Sequence, residues 1–337
     1  MSPPFHPRCA APDDLVEPVA VDAVGVAGPT PGQSRGPGWR RTSPGLYVPA
    51  STTTSPEQRV LEQSRRLPPG GAVGGWAALR LHGAAYFDGV DRLDRAGSCH
   101  TPSGPGRPRG LVPVPLAVPR GLSLRPTADS VVSRCAVPEG DVVLRHGIPC
   151  LVAERALVEV AGGAADLRAA VTALDMGLSA LVTTADQVHD YLDRRPGLRG
   201  AALVRRALDL AEDRVLSPKE TWLRLVWVLD AGLPRPRCNW PVADLVGRRL
   251  GRPDLLCEEW GLAGEYDGAE HRTRARHGQD VRREADFRAA GLEVVTVVAA
   301  DLAHPARVVA RLLAAADRAR AAGRSRGWLL ANRPGHL

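Results

Sequence analysis

Gly251-Arg252-Pro253-Asp254, Gly264-Glu265-Tyr266-Asp267-Gly268 and His271 are the pieces around which the rest of the chain organises. Two short apolar stretches, Asp254 to Cys257 and Leu262 to Tyr266, flank Glu259-Trp260-Gly261. That pattern predicts two antiparallel strands joined by a tight turn. With Glu259 and Trp260 as the turn residues, position 254 faces position 265; a turn displaced by one residue moves that pairing. Directly opposed side chains have Cβ atoms about 4.5–5.5 Å apart. Glu265 and Asp267 are two residues apart and so share a strand face. Three carboxylates then meet at one end of a sheet. Like charges at that distance call for a cation with a taste for oxygen ligands, Mg²⁺ or Mn²⁺, and such an ion activates water and stabilises charge on a phosphate. His271 follows in an expected loop, within reach as a general base or a phosphate contact.

On the N-terminal side, Ser217-Pro218-Lys219-Glu220 has the form of a capping box, with Ser at the N-cap, Pro at the first helical position and Glu at the third. Trp222, Leu225, Val226 and Leu229 then recur at helical spacing, and Gly232 and Pro234 end the segment. Trp240 to Val246 is expected as a strand, Asp280 to Ala290 as a helix, Leu292 to Val298 as a buried strand and Pro305 to Ala322 as an amphipathic helix. Further upstream the chain mixes short strands with helices. Gly45 to Pro49 is expected as a strand, Glu57 to Leu67 as a helix, and residues 101–126 as loop with one or two edge strands, because prolines crowd them. His146-Gly147 sits between two apolar runs as a hairpin turn, and helices are expected over Glu154–Val160, Ala164–Met176, Thr184–Leu192 and Ala201–Glu212.

The 337-residue length allows about two domains at roughly 150 residues each. No apolar run approaches the ~18 residues of a membrane helix, and no secretory signal is visible, so a cytoplasmic location without a membrane is expected. There are 44 Lys+Arg against 37 Asp+Glu, a formal charge of +7. That excess favours a polyanionic partner, although Lys219 is the only lysine and arginine abundance is partly a habit of high-GC coding. The six cysteines form no CxxC pair and no zinc-spaced cluster, so reduced thiols are expected. Aromatic residues do not interleave with the arginines, which favours contact with a duplex backbone over base stacking on single strands.

The run from Ser217 to about Ala316 resembles the very-short-patch-repair (Vsr)-like branch of the PD-(D/E)XK nuclease superfamily. The resemblance rests on Ser217-Pro218-Lys219-Glu220, Gly232-Leu233-Pro234-x-Pro236, Gly251-Arg252-x-Asp254, Glu265-Tyr266-Asp267-Gly268-x-x-His271 and Asp280-x-x-Arg283. It implies an α/β restriction-endonuclease-like domain of order α-β-β-β-α-β and a metal-dependent DNA endonuclease activity. It also implies metal binding by Asp254 and Glu265, a supporting carboxylate at Glu220 and a site role for His271. The superfamily usually places Lys two residues after the Glu; this chain has Asp267 there, and the Vsr-like branch relies on a histidine instead. Roughly residues 20–200 resemble the regulator region of AbiEi-like antitoxin proteins, carried by Trp39-Arg40-Arg41, Gly45-Leu46-Tyr47-Val48-Pro49, Trp76-Ala77-Ala78-Leu79-x-x-His82-Gly83 and Glu154-Arg155-Ala156-Leu157-x-Glu159-Val160. The resulting division is a flexible 1–18, a winged-helix-like 19–95, a mixed β then helical 96–212, a nuclease domain at 213–320 and a frayed tail at 321–337.

Plainer readings stand beside these. Glu220 is explained by its capping box alone, Asp267-Gly268 by a turn, and His82 by a place in the core. Asp280 and Arg283 form a surface pair if they do not serve the site, and Asp280 suits an N-cap. Arg252, Arg272, Arg274 and Arg276 are either solvated or phosphate contacts; Asp280 and Arg283 join them as candidates for DNA contact. The rival to the endonuclease is a non-catalytic DNA-binding regulator that keeps the nuclease fold as a scaffold.

Overall fold

The computed structural model describes residues 14–90, 110–267, 274–321 and 326–331, with 274–281 by backbone alone. The chain divides into two compact units, 1–211 and 212–337.

In the first unit, β1 (Val19–Ala20), β2 (Trp39–Ser43) and β3 (Leu46–Pro49) form a small antiparallel sheet of order β1-β3-β2. Helix α1 (Pro56–Ser64) starts where Ser55 accepts the Gln58 amide at 3.0 Å and Pro56 takes the first helical position. After β4 (Ala72–Val73) and α2 (Gly75–Leu81) come β5 (Val114–Pro119), β6 (Ser130–Cys135), β7 (Val142–Arg145) and β8 (Ile148–Leu151). These strands make a mixed sheet of order β6-β5-β4-β8-β7, so the 19–95 and 96–212 segments share one sheet. The expected hairpin is present: β7 and β8 pair across His146 and Gly147, both at positive φ, as a two-residue turn requires. The expectation of edge strands in 101–126 is corrected, because β5 has β4 on one side and β6 on the other. Gly74 donates to the Pro115 carbonyl, so Pro115, and with it Pro119, faces the side of β4, which is only two residues long. Their missing N–H groups therefore break no ladder. Helices α3 (Ala153–Gly162), α4 (Leu167–Ser179), α5 (Ala185–Arg194) and α6 (Ala201–Leu208) complete the unit. Leu79, Leu116, Ile148, Leu157 and Leu174 are buried together with His82, whose Nε2 lies 2.8 Å from the Leu151 carbonyl oxygen. His82 is thus a core histidine, its pKa lowered by burial.

The second unit opens with α7 (Pro218–Leu225), capped by Ser217 as its sequence predicts, and one wide turn over Val226–Asp230. Strands β9 (Arg237–Cys238), β12 (Leu255–Cys257), β13 (Leu262–Asp267) and β14 (Glu293–Val298) form a sheet of order β14-β13-β12-β9. β13 and β14 are parallel and are joined through α8 (Arg274–Ala289). Counting only what joins or flanks this sheet, the order is helix, three strands, helix, strand. A second sheet holds β10 (Val242–Asp244), β11 (Arg249–Gly251) and β15 (Trp328–Leu330) in the order β11-β10-β15, and α9 (Pro305–Ala321) packs on β14.

Three expectations are corrected here. Trp240–Val246 is not one strand, and the partner of β12 opposite β13 is β9. Asn239, at φ 50°, turns the chain away and Pro241 offers no N–H, so only Val242–Asp244 extends, and in the other sheet. The tail is not wholly frayed: β15 pairs with β10, and Trp328, 2% exposed, joins Phe287, Leu256 and Val242 in the core. A large apolar ring at a chain end repays ordering that its polar neighbours do not. Finally, α8 starts at Arg274 rather than Asp280, so Asp280 lies inside it rather than at its N-cap, and Arg274 and Arg276 lie on the helix as well.

Of the cysteines, Cys150, Cys238 and Cys257 are buried, Cys135 is half-buried, and all four are free thiols. Among the described residues no helix is long and apolar enough to cross a membrane.

Candidate functional site

β12 and β13 pair Leu255 with Gly264, Leu256 with Ala263 and Cys257 with Leu262. Continued by one residue, this register sets Asp254 opposite Glu265, the pairing that a Glu259-Trp260 turn predicts. Asp254 stands just before β12, and its Oδ2 accepts the Tyr266 amide at 2.7 Å. Glu265 lies in the middle of the sheet, with β12 on one side and β14 on the other, and is only 8% exposed. Its neighbour Gly264 has no side chain for a physical reason: a Cβ there sits 3.3 Å from the buried ring of Trp227.

Glu220 reaches the same place from the first turn of α7, which packs on β13. Its Oε1 accepts the Ser217 hydroxyl at 2.8 Å, and its Oε2 accepts the Leu216 amide at 2.9 Å. The helix cap that the sequence predicts is therefore made by the very carboxylate that the family resemblance assigns to the site. Asn239 ties the elements together. Its Nδ2 donates to Glu220 Oε2 at 2.7 Å and to the Arg214 carbonyl at 2.9 Å, while its backbone N–H donates to the Asp254 carbonyl at 3.0 Å. Sequence reasoning missed Asn239; the available signal was an Asn just before Trp-Pro, a residue type that tolerates the left-handed backbone.

These charges act on one another. Burial, then the Glu220 carboxylate and, less strongly, the Glu265 carboxylate push the Asp254 pKa up to about 7, against the Tyr266 amide and Arg283, which pull it down. Arg283, on α8, donates from Nη2 to Glu265 Oε2 at 2.7 Å. Gly251 makes room for this arginine: a Cβ at 251 sits 2.9 Å from Arg283 Cδ and from Phe287 Cζ.

The other candidates are distributed as follows. Asp267 ends β13, half-buried and two residues along from Glu265. Arg252 is exposed on the approach to Asp254. His271 and Arg272 lie outside the described residues. For Arg274, Arg276 and Asp280 the backbone alone is described, in the first half of α8. A separate cleft of about 500 Å³ runs beside β9, lined by Arg214, Arg235 and Arg237 against Glu212, Glu258 and Glu259, with Trp240 between Arg214 and Arg237. Its charges balance and its walls exclude Asp254 and Glu265.

Among the described residues no group of three or more His, Cys, Asp or Glu side chains forms a ready-made metal cage. Magnesium seldom uses one: it is usually held by one or two carboxylates, waters and substrate phosphates. Two opposed carboxylates, one of them with a pKa raised by burial and by its neighbours' negative charge, have the donor chemistry for such an ion. No known family profile matches the chain, and neither a curated protein nor a solved structure matches it significantly.

Proposed function

We propose that the C-terminal unit is a metal-dependent DNA endonuclease of the PD-(D/E)XK type, nearest in its motifs to the Vsr-like branch. The observation that carries this reading is the opposition of Asp254 and Glu265 across β12 and β13, with Glu220 close enough to raise the Asp254 pKa. Each carboxylate has a structural partner of its own, but bringing Glu220 and Glu265 close enough to raise the Asp254 pKa opposes folding, and that cost supports a functional reason for their meeting. Asp254 and Glu265 would hold Mg²⁺ or Mn²⁺. Bound there, the ion supplies a water of lowered pKa and stabilises charge on the phosphate.

The remaining roles belong to the chain itself. Glu220, fixed by Ser217, Leu216 and Asn239, holds its charge near Asp254 and keeps α7 in register with the site. Arg283 neutralises Glu265, and its guanidinium is a proposed donor to a phosphate oxygen on the α8 side. His271 is the proposed base that takes the proton from the attacking water. Arg252, Arg272, Arg274 and Arg276 are proposed contacts to the duplex backbone, which carries the affinity in such complexes.

The test is incubation of the purified chain with supercoiled plasmid and Mn²⁺ or Mg²⁺, with and without EDTA, beside Glu265→Ala. Metal-dependent nicking by the wild type alone is expected. A second reading keeps the fold as a DNA-binding scaffold in an AbiEi-like regulator. It is favoured by the Arg283–Glu265 ion pair, in which an internal cation already neutralises Glu265, and by Asp267 at the position of the superfamily's lysine. Shifted DNA bands with no cleavage in any metal select it.

A further inference from the structure

The hairpin that leads into Asp254 has a tip that the site chemistry leaves unexplained. β10 and β11 turn through Leu245, Val246, Gly247 and Arg248, all exposed; Leu245 is 65% and Val246 88% accessible. Two apolar side chains at a tip are a poor use of a loop that polar residues fill equally well.

The tip is also rigid. Gly247, at φ 85°, donates to the Asp244 carbonyl at 3.0 Å, and Asp244 donates in return to the Arg248 carbonyl at 2.9 Å. The Asp244 carboxylate accepts the Val246 amide at 3.1 Å, the Arg248 amide at 2.8 Å and Arg248 Nε at 3.0 Å. A three-residue loop with glycine in the left-handed position is a standard hairpin closure; here one side chain braces it from within. The base is equally firm, because Val242 and Leu250 are buried in the core and β15 pairs with β10 only as far as Asp244. Everything beyond Asp244 therefore projects, held in one shape.

Charge and position complete the picture. Arg248 is neutralised by Asp244. Arg249 and Arg252 are exposed and, among the described residues, have no ion-pair partner. Gly251 lies against Arg283, which reaches Glu265, so the hairpin ends one side chain from the carboxylates. At about 3.3 Å per residue the tip stands roughly 13 Å further out.

We propose that residues 242–252 form a finger that docks in the major groove of duplex DNA beside the bond to be cut. Arg249 and Arg252 meet phosphates, and Leu245 and Val246 press on apolar groove atoms, thymine methyls among them. The major groove admits a two-stranded β-ribbon, and the braced loop spares the complex the entropy of ordering it. This inference rests on the DNA reading above.

The experiment is anisotropy of a labelled duplex with the full chain in EDTA, across a salt series. It compares wild type with Leu245→Ser/Val246→Ser and with Arg249→Ala/Arg252→Ala. All four side chains are exposed, so folding is unaffected, which circular dichroism checks. The arginine pair should weaken binding about tenfold or more and reduce the salt slope by about two, at ~0.9 per phosphate contact. The apolar pair should weaken binding roughly five- to tenfold with the slope unchanged, since no phosphate contact is lost. If the wild type binds and the apolar pair binds equally well, the finger is overturned while the nuclease reading stands. A wild type with no affinity for duplex, either in EDTA or with Ca²⁺ in its place, overturns both.

Discussion

Asp254→Asn should make the C-terminal unit more stable, not less, at alkaline pH. In the folded chain Asp254 holds its proton up to about pH 7, because burial and the charges of Glu220 and Glu265 oppose ionisation. Unfolded, it loses that proton near its ordinary value of 3.8. Between those two points the folded state binds more protons, so stability falls as pH rises from about 4 to about 7, and the cost is fully present above. A shift of about three units, at ~1.4 kcal/mol each, amounts to roughly 4 kcal/mol. Asparagine keeps an acceptor for the Tyr266 amide and removes the charge, so a gain of roughly 2–4 kcal/mol is expected near pH 8. The gain should vanish near pH 4. Glu212, also pushed up to about 7 by burial and by Asp213, has the same sign. It is present in both proteins, so the difference between them isolates Asp254. Differential scanning calorimetry of the full chain in EDTA, at several pH values, reads this as a rise in the midpoint of several degrees. Added Mn²⁺ should then raise the wild type above pH 7 and leave the variant unmoved. A variant that is less stable than wild type near pH 8, or a difference that does not change with pH, refutes the claim that burial and the neighbouring carboxylates oppose ionisation of Asp254 in the fold.

Two further perturbations test neighbouring parts of the unit. Arg283→Ala removes the charge that neutralises Glu265, and should cost about 1.5–3 kcal/mol in EDTA, as for other hydrogen bonds between charged groups. Isothermal titration should show tighter Mn²⁺ binding by this variant, because the ion no longer competes with the guanidinium. Trp328→Ala should cost about 3–5 kcal/mol in urea unfolding, the range for a large buried aromatic; a loss within a few tenths means that β15 adds nothing to the core.

Much of the site was legible because it depends on local counting. The loop between β12 and β13 is four residues, Glu258 to Gly261, but it is centred on Glu259-Trp260, and that centre sets the register arithmetically: continued one residue past Leu255↔Gly264, it places Asp254 opposite Glu265. The Ser217–Glu220 cap and the His146-Gly147 hairpin are legible for the same reason, since their partners are within four residues. What could not be counted was pairing at long range. β9 is two residues long and has no periodicity to detect; it joins the sheet only because β12 arrives beside it. Trp328 sits in a stretch that reads as tail, and becomes core only when β10 pairs with β15.

The same division runs through the chemistry. The sequence by itself determined which residue types are available to act, namely Glu220, Asp254, Glu265 and the arginines around them, and that two of them face each other if the turn is centred on Glu259-Trp260. The tertiary structure alone decided what surrounds each charge. Asn239 bridges Glu220 to the strand end, Arg283 comes from α8 to Glu265, and Asp244 braces a tip that carries Leu245 and Val246 outward. Spacing along a chain reports a residue's own element, whereas burial, charge neutralisation and pKa depend on elements that only folding brings together.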